Sequence, residues 1–152
     1  MGTLYVVATP IGNLEDLTHR ALRVLGEVDV LACEDTRMTR RLLDRYEISR
    51  PRTLFSYHEH NEESAGARIL GLLQEGCAVA LCSDGGCPGV SDPGYRIIRD
   101  AIAAGHHVDV LPGPTAVTTA LLISGLSTAS FVFKGFPPRK SGQRKRFLEE
   151  DG

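Results

Sequence analysis

Five times along this chain a short apolar run gives way to a turn rich in glycine, proline and small polar residues, and then to a helical pattern. The runs cover residues 4–8, 28–33, 51–55, 78–82 and 107–111. Most carry apolar side chains on consecutive positions, which is the pattern of strands buried on both faces. Between them lie stretches with helical spacing. Thr18 caps Ala21, Leu22 and Leu25; the next runs through Leu42, Leu43 and Tyr46; Asn61 caps Ala65, Ile69, Leu72 and Leu73. Asp92 followed by Pro93 reads as a cap and first helical residue for a helix over 95–104, and a further helix follows over 115–123. Strand and helix in strict alternation dictate an α/β fold, a mainly parallel five-stranded sheet with helices on both faces.

The first domain is expected over residues 1–126. Residues 127–152 read as a linker and the start of an incomplete second α/β domain, with a strand over 131–136, a stop at Pro137-Pro138 and a helical start near Phe147. With 152 residues, 42% of them apolar, the chain can build a core without metals or disulfides. The formal charge of −2 excludes a uniformly basic nucleic-acid-binding surface. A local basic cluster remains, formed by Lys134, Arg139, Lys140, Arg144, Lys145 and Arg146. The four cysteines lie in or beside apolar runs, where thiols act as small core residues. No secretory leader pattern opens the chain, so the cytoplasm is the expected location. The longest apolar stretch, 116–126, is too short and too interrupted to span a bilayer.

In an open parallel sheet, ligands bind where the carboxyl ends of the strands and their loops gather. Here those loops are 9–13, 34–37, 58–62, 83–94 and 112–116. The densest is Ser83-Asp84-Gly85-Gly86-Cys87-Pro88-Gly89-Val90-Ser91-Asp92-Pro93-Gly94. No phosphate-cradling Gly-x-x-x-x-Gly-Lys motif is present, and the first loop holds one glycine, Gly12, where a dinucleotide fingerprint needs three. Nucleoside triphosphatases and dehydrogenases are therefore disfavoured. Backbone groups plus Asp84 suit a ligand with hydrogen-bonding edges and a neutral or positive centre, and S-adenosylmethionine fits that description; a plain tight turn is the competing reading. A metal is not expected, because His58, His60, Cys82 and Cys87 lack ligand spacing. Arg37 and Arg41 stand one helical turn apart, as a phosphodiester grip or as a solvated face.

Thr9-Pro10-Ile11-Gly12-Asn13-Leu14-Glu15-Asp16, Glu34-Asp35-Thr36-Arg37, His60-Asn61-Glu62, the 83–94 loop and Leu111-Pro112-Gly113-Pro114-Thr115-Ala116 together resemble the tetrapyrrole methylase superfamily. Within it they resemble the type that acts on bacterial small-subunit ribosomal RNA. Gly135-Phe136-Pro137-Pro138 and the basic residues after it fit that type too. The resemblance implies a two-domain methyltransferase that binds S-adenosylmethionine and methylates the ribose 2′-hydroxyl of a cytidine in 16S ribosomal RNA, acting as a homodimer. Carried onto this chain, Pro10, Ile11, Asp84, Cys87, Gly113, Thr115 and Ala116 would hold the cofactor. Arg37, Lys134, Arg139 and Lys140 are the residues chosen to hold RNA. Glu34, Asp35 and His60 are able to accept a proton, with none singled out as catalytic. Two positions depart from the family pattern: Gly85 replaces an alanine, and Cys87 replaces a threonine with loss of its hydroxyl. The family also continues for about another domain of ordinary size. A tetrapyrrole or diphthine-type methylase, and a noncatalytic fragment that binds cofactor or RNA, stay open as alternatives.

Overall fold

The computed structural model describes residues 2–49 and 51–150. It contains strands β1 (Thr3–Val7), β2 (Val30–Cys33), β3 (Thr53–Ser56), β4 (Ala78–Cys82) and β5 (His107–Leu111). The helices are α1 (His19–Glu27), α2 (Thr36–Arg45), α3 (Glu62–Gln74), α4 (Tyr95–Ala103), α5 (Ala116–Ile123) and α6 (Ser141–Glu149). All strand pairs are parallel, in the order β3-β2-β4-β1-β5. The α/β reading of the sequence is borne out.

Side chains alternate between the two faces of the sheet. Leu4, Val6, Val79 and Leu81 pack against Ala65, Ile69 and Leu73 of α3 and Ile97 and Ala101 of α4. Val7, Leu31, Cys33, Ala80 and Cys82 pack against Ala21, Val24 and Leu25 of α1 and Leu43 of α2. Both faces are covered, so both sets of positions must be apolar, and that is why the runs show no polar alternation. Full burial of each large aliphatic side chain contributes roughly 1.5–3 kcal/mol. Cys33 and Cys82 sit inside this core, and all four cysteines are free thiols.

Local chemistry sets the helix starts. The Thr18 hydroxyl accepts from the Ala21 N–H at 3.1 Å, as expected of a cap. Asn61 precedes α3 but does not cap it with its side chain. It closes the turn after β3 instead, accepting from the His58 N–H at 2.8 Å and donating to the Ser56 carbonyl at 2.9 Å. The expected start at Asp92-Pro93 is corrected: α4 begins at Tyr95, after Gly94. The loop folds back on itself just before that start, bringing Gly94 against Gly89. A Cβ at Gly94 would lie 2.9 Å from the Gly89 nitrogen, and Gly94 has a φ of 144°.

The chain divides into two compact units, one ending at Ala116 and one starting at Val117. The first holds the sheet and both cores. In the second, residues 131–136 form no strand. A strand needs a neighbour to receive its ladder bonds, and none is offered there among the described residues. Within that unit the Lys134 ammonium lies 4.4 Å above the Phe147 ring and donates to the Phe147 carbonyl at 3.0 Å.

Candidate functional site

The carboxyl end of β4 is where the sheet opens. Its loop leads to α4 on one face, whereas the loops of its neighbours β1 and β2 lead to α1 and α2 on the other. Diverging connections leave a crevice at such a point. Short bonds fix its walls. Thr9 and Gly86 exchange two backbone hydrogen bonds, each 2.9 Å long, and the Thr9 hydroxyl donates to the Ser83 carbonyl at 3.0 Å. Gly86 adopts a φ of 86°, which favours glycine. On the other side of β4, the Asp35 N–H donates to Asp84 Oδ1 at 3.1 Å, and the Asp84 N–H donates to Glu34 Oε2 at 3.3 Å. Each acidic loop thus binds the backbone of the other.

A cavity of about 600 Å³ opens in this crevice. That volume suits a ligand of nucleoside size. Pro10, Ile11, Leu14, Met38 and Leu42 form its apolar wall, while Thr9, Ser83, Asp84 and Arg41 supply polar atoms. Of the cofactor residues expected from the sequence, Pro10, Ile11, Asp84 and Ala116 line the cavity. Cys87, Gly113 and Thr115 are not part of that lining. Cys87 packs against the core on the α3 and α4 face, and burial raises its thiol pKa. Gly113 lies behind the site, where an added Cβ would come 2.9 Å from the Cβ of Ala8.

Sequence reasoning missed Leu14, Met38, Thr39 and Leu42. For two of them the mark is visible only in the fold: Leu14 is 45% exposed and Met38 46%, large apolar side chains left in the open beside the motifs. Thr39 bears no such mark, since its hydroxyl is turned inward, 3.9 Å from Cys82 Sγ.

The acidic residues fall into two groups. Asp35 caps α2, accepting from the Arg37 N–H at 2.7 Å, and also takes the Arg37 guanidinium on both oxygens. Those bonds hold its carboxyl well below the usual carboxylate range. Burial pushes Glu34 and Asp92 the other way, with the Asp84 charge reinforcing both shifts. Arg37, expected to hold RNA, is therefore already paired. Lys134 is engaged with Phe147 and also pairs with Glu150 at 3.5 Å. Arg139 and Lys140 are exposed just before α6. His60 is exposed, its ring 6.0 Å from that of His58. Among the described residues no three His, Cys, Asp or Glu side chains are grouped to hold a metal, and no helix is long and apolar enough to cross a membrane.

A doubly covered parallel sheet whose glycine-rich loops line a nucleoside-sized cavity at the carboxyl edge defines an α/β protein with an open crevice at its strand ends. This chain belongs to the tetrapyrrole (corrin/porphyrin) methylases, whose family pattern it matches over residues 3–150. It is 54% identical over 149 residues to ribosomal RNA small subunit methyltransferase I of Halalkalibacterium halodurans, covering 98% of this chain and 51% of that protein. The protein of the same name in Mesorhizobium japonicum is 55% identical over 146 residues, covering 96% of this chain and 49% of that one. Among solved structures, uroporphyrin-III-C-methyltransferase of Thermus thermophilus superposes with a TM-score of 0.62 at 30% identity, covering 86% of this chain and 55% of that one. The chain spans about half the length of these relatives.

Proposed function

We propose that this chain carries the donor-binding part of an S-adenosylmethionine-dependent methyltransferase, which methylates the ribose 2′-hydroxyl of a cytidine in 16S ribosomal RNA. The observation that carries the reading is identity above 50%, over nearly the whole chain, to two relatives named for small-subunit ribosomal RNA. The donor set fits the cofactor: an apolar wall for a purine, a carboxylate at Asp84 for hydroxyls or a cation, and no phosphate cradle.

When bound, S-adenosylmethionine supplies an electrophilic methyl group on a sulfonium. The protein's part is to position and to exclude water. Ile11, Leu14 and Met38 shield the cavity, and the Thr9–Gly86 clasp fixes the loop that presents Asp84. Holding two reactants in line can lower a barrier by several kcal/mol, up to about 7–11 in favourable cases. Gly113 and Thr115 support the rim around Ala116, and Cys87 anchors the signature loop to the core. Arg37, Lys134, Arg139 and Lys140 belong to the RNA-holding set in this reading, Arg37 and Lys134 through charges shared with protein partners. Asp35 is withdrawn as a proton acceptor by its bonds to Arg37. The enzyme acts in the cytoplasm as a homodimer on the small subunit or its RNA.

The test uses the full-length enzyme with radiolabelled S-adenosylmethionine and, in parallel, small ribosomal subunits and uroporphyrinogen III. Label incorporated into 16S RNA at a single 2′-O-methylcytidine is expected. Transfer to the tetrapyrrole alone would replace this reading with the one that the 30% identity to the uroporphyrin enzyme favours.

A further inference from the structure

We infer that Arg41, assisted by Arg45, is the phosphodiester anchor that lays RNA across the mouth of the donor cavity. The inference rests on the RNA methylation proposed above and assigns the positioning of the substrate to a specific ridge of α2.

Helix α2 reads Thr-Arg-Met-Thr-Arg-Arg-Leu-Leu-Asp-Arg, with four arginines in ten residues. It is fixed at its start by the Asp35 cap and inward by the buried Thr39 and Leu43. Fourfold spacing then sorts its remaining side chains into neighbouring ridges. Met38 and Leu42 form one ridge and line the cavity. Arg37, Arg41 and Arg45 form the next, about 6 Å apart along the helix axis. That rise is comparable with the distance between successive phosphates of an extended strand.

The three arginines are not equivalent. Both Asp35 oxygens accept from the Arg37 guanidinium, at 2.7–3.2 Å, which satisfies much of its charge within the protein. Arg41 and Arg45 are exposed, and among the described residues neither forms an ion pair. Arg41 alone of the three also borders the cavity. An unpaired guanidinium at the edge of an apolar donor site seeks an oxyanion, and its planar fork matches phosphate with two parallel bonds. An RNA strand held by Arg41 and Arg45 would present its ribose beside Ile11 and Met38, at the open side of the cavity. The donor's own carboxylate is the other oxyanion that such a group could take, and the experiment separates the two.

In the full-length enzyme, Arg41→Ala, Arg41→Lys and Arg45→Ala are compared with wild type by three measurements. These are S-adenosylhomocysteine affinity by calorimetry, binding of a fluorescent 16S RNA fragment across a salt series, and steady-state methylation of small subunits. For Arg41→Ala we expect RNA affinity to fall about tenfold, the slope of log affinity against log salt to shrink by about one, and KM for the subunit to rise more than kcat falls. Arg41→Lys should recover part of the loss, and Arg45→Ala should show a smaller loss of the same kind. Homocysteine-product affinity should stay within about twofold of wild type. Parallel loss of that affinity would assign Arg41 to the donor carboxylate and overturn the inference; so would RNA binding unchanged in affinity and salt slope. Because binding is read apart from turnover, an enzyme that binds RNA without methylating it would sink the functional reading and still decide the role of Arg41.

Discussion

Gly113 has no positive φ, so what excludes a side chain there is space. A Cβ at this position would sit 2.9 Å from the Cβ of Ala8, well inside van der Waals contact, and Ala8 is itself 2% exposed. The two residues follow β5 and β1, which are adjacent in the sheet. Gly113→Ala must therefore push apart two neighbouring strand ends at the site. Overpacking of this kind costs about 1–3 kcal/mol. Ala8→Gly opens the same volume, so the double variant should be more stable than the two single losses predict, with a coupling of at least about 0.5 kcal/mol by urea unfolding. Strict additivity would show that the contact is relieved elsewhere. The sequence marks Gly113 as a residue of interest but cannot say why: its partner Ala8 is 105 positions away. Arg37 makes the opposite point. Its charge is plain in the sequence, but its capture by Asp35 depends on the cap geometry at the start of α2, which brings both oxygens within reach of the guanidinium.

Elements were legible where burial alone determines them. All five strands stand close to the expected positions, and the three inner ones, β1, β2 and β4, carry the mostly buried apolar runs that mark them. Strands β2 and β3 each begin two residues later than expected; β2 is fully buried and β3, its edge partner, only half-buried, so the late starts do not follow burial. Helix starts were legible where a side chain caps locally, as at Thr18, and not where a long-range contact overrides, as at Asp92-Pro93. The override at α4 has an identifiable strut. Glu62, at the first turn of α3, accepts from the Tyr57 hydroxyl at 3.2 Å and from the Gly94 N–H at 3.3 Å. It thereby joins the end of β3 to the exit of the signature loop. Tyr57 is fully buried, and burial together with the Glu62 charge pushes the pKa of its hydroxyl well above the usual phenol range. Removing the acceptor leaves a buried hydroxyl and a backbone N–H without a partner, at about 1–3 kcal/mol for a buried group. Glu62→Ala should lower stability by that order and weaken S-adenosylhomocysteine binding several-fold through the loop. Glu62→Gln, which keeps an acceptor oxygen, should restore most of both. Equal damage from the two variants would show that charge, rather than the strut, matters.

For the whole chain, burial is unevenly shared, and stability must follow it. Every fully buried side chain in the two cores lies at or before Leu111. The described residues from Val117 onward include none that is buried, and Leu122, Ile123, Phe131, Phe136 and Leu148 are all more than half exposed. The first unit thus has the physical basis of an independent fold, two cores clamped on one sheet, while α5 and α6 hold their helical bonds with little tertiary packing. Short helices without a packed face are marginal in water. The strand expected over 131–136 does not form: its residues are apolar, but among the described residues no neighbouring strand is offered for it to pair with. Amide hydrogen exchange on a chain of these 152 residues should therefore show two classes. Amides of β1, β2 and β4, which lie inside the sheet, should exchange only through global unfolding. Those of 117–150 should exchange orders of magnitude faster, and adding S-adenosylhomocysteine should slow the loops around Thr9 and Asp84 while leaving α6 unchanged. Protection of α5 and α6 equal to that of β4 would mean that their apolar residues are packed in solution, and would refute a stability confined to the first unit.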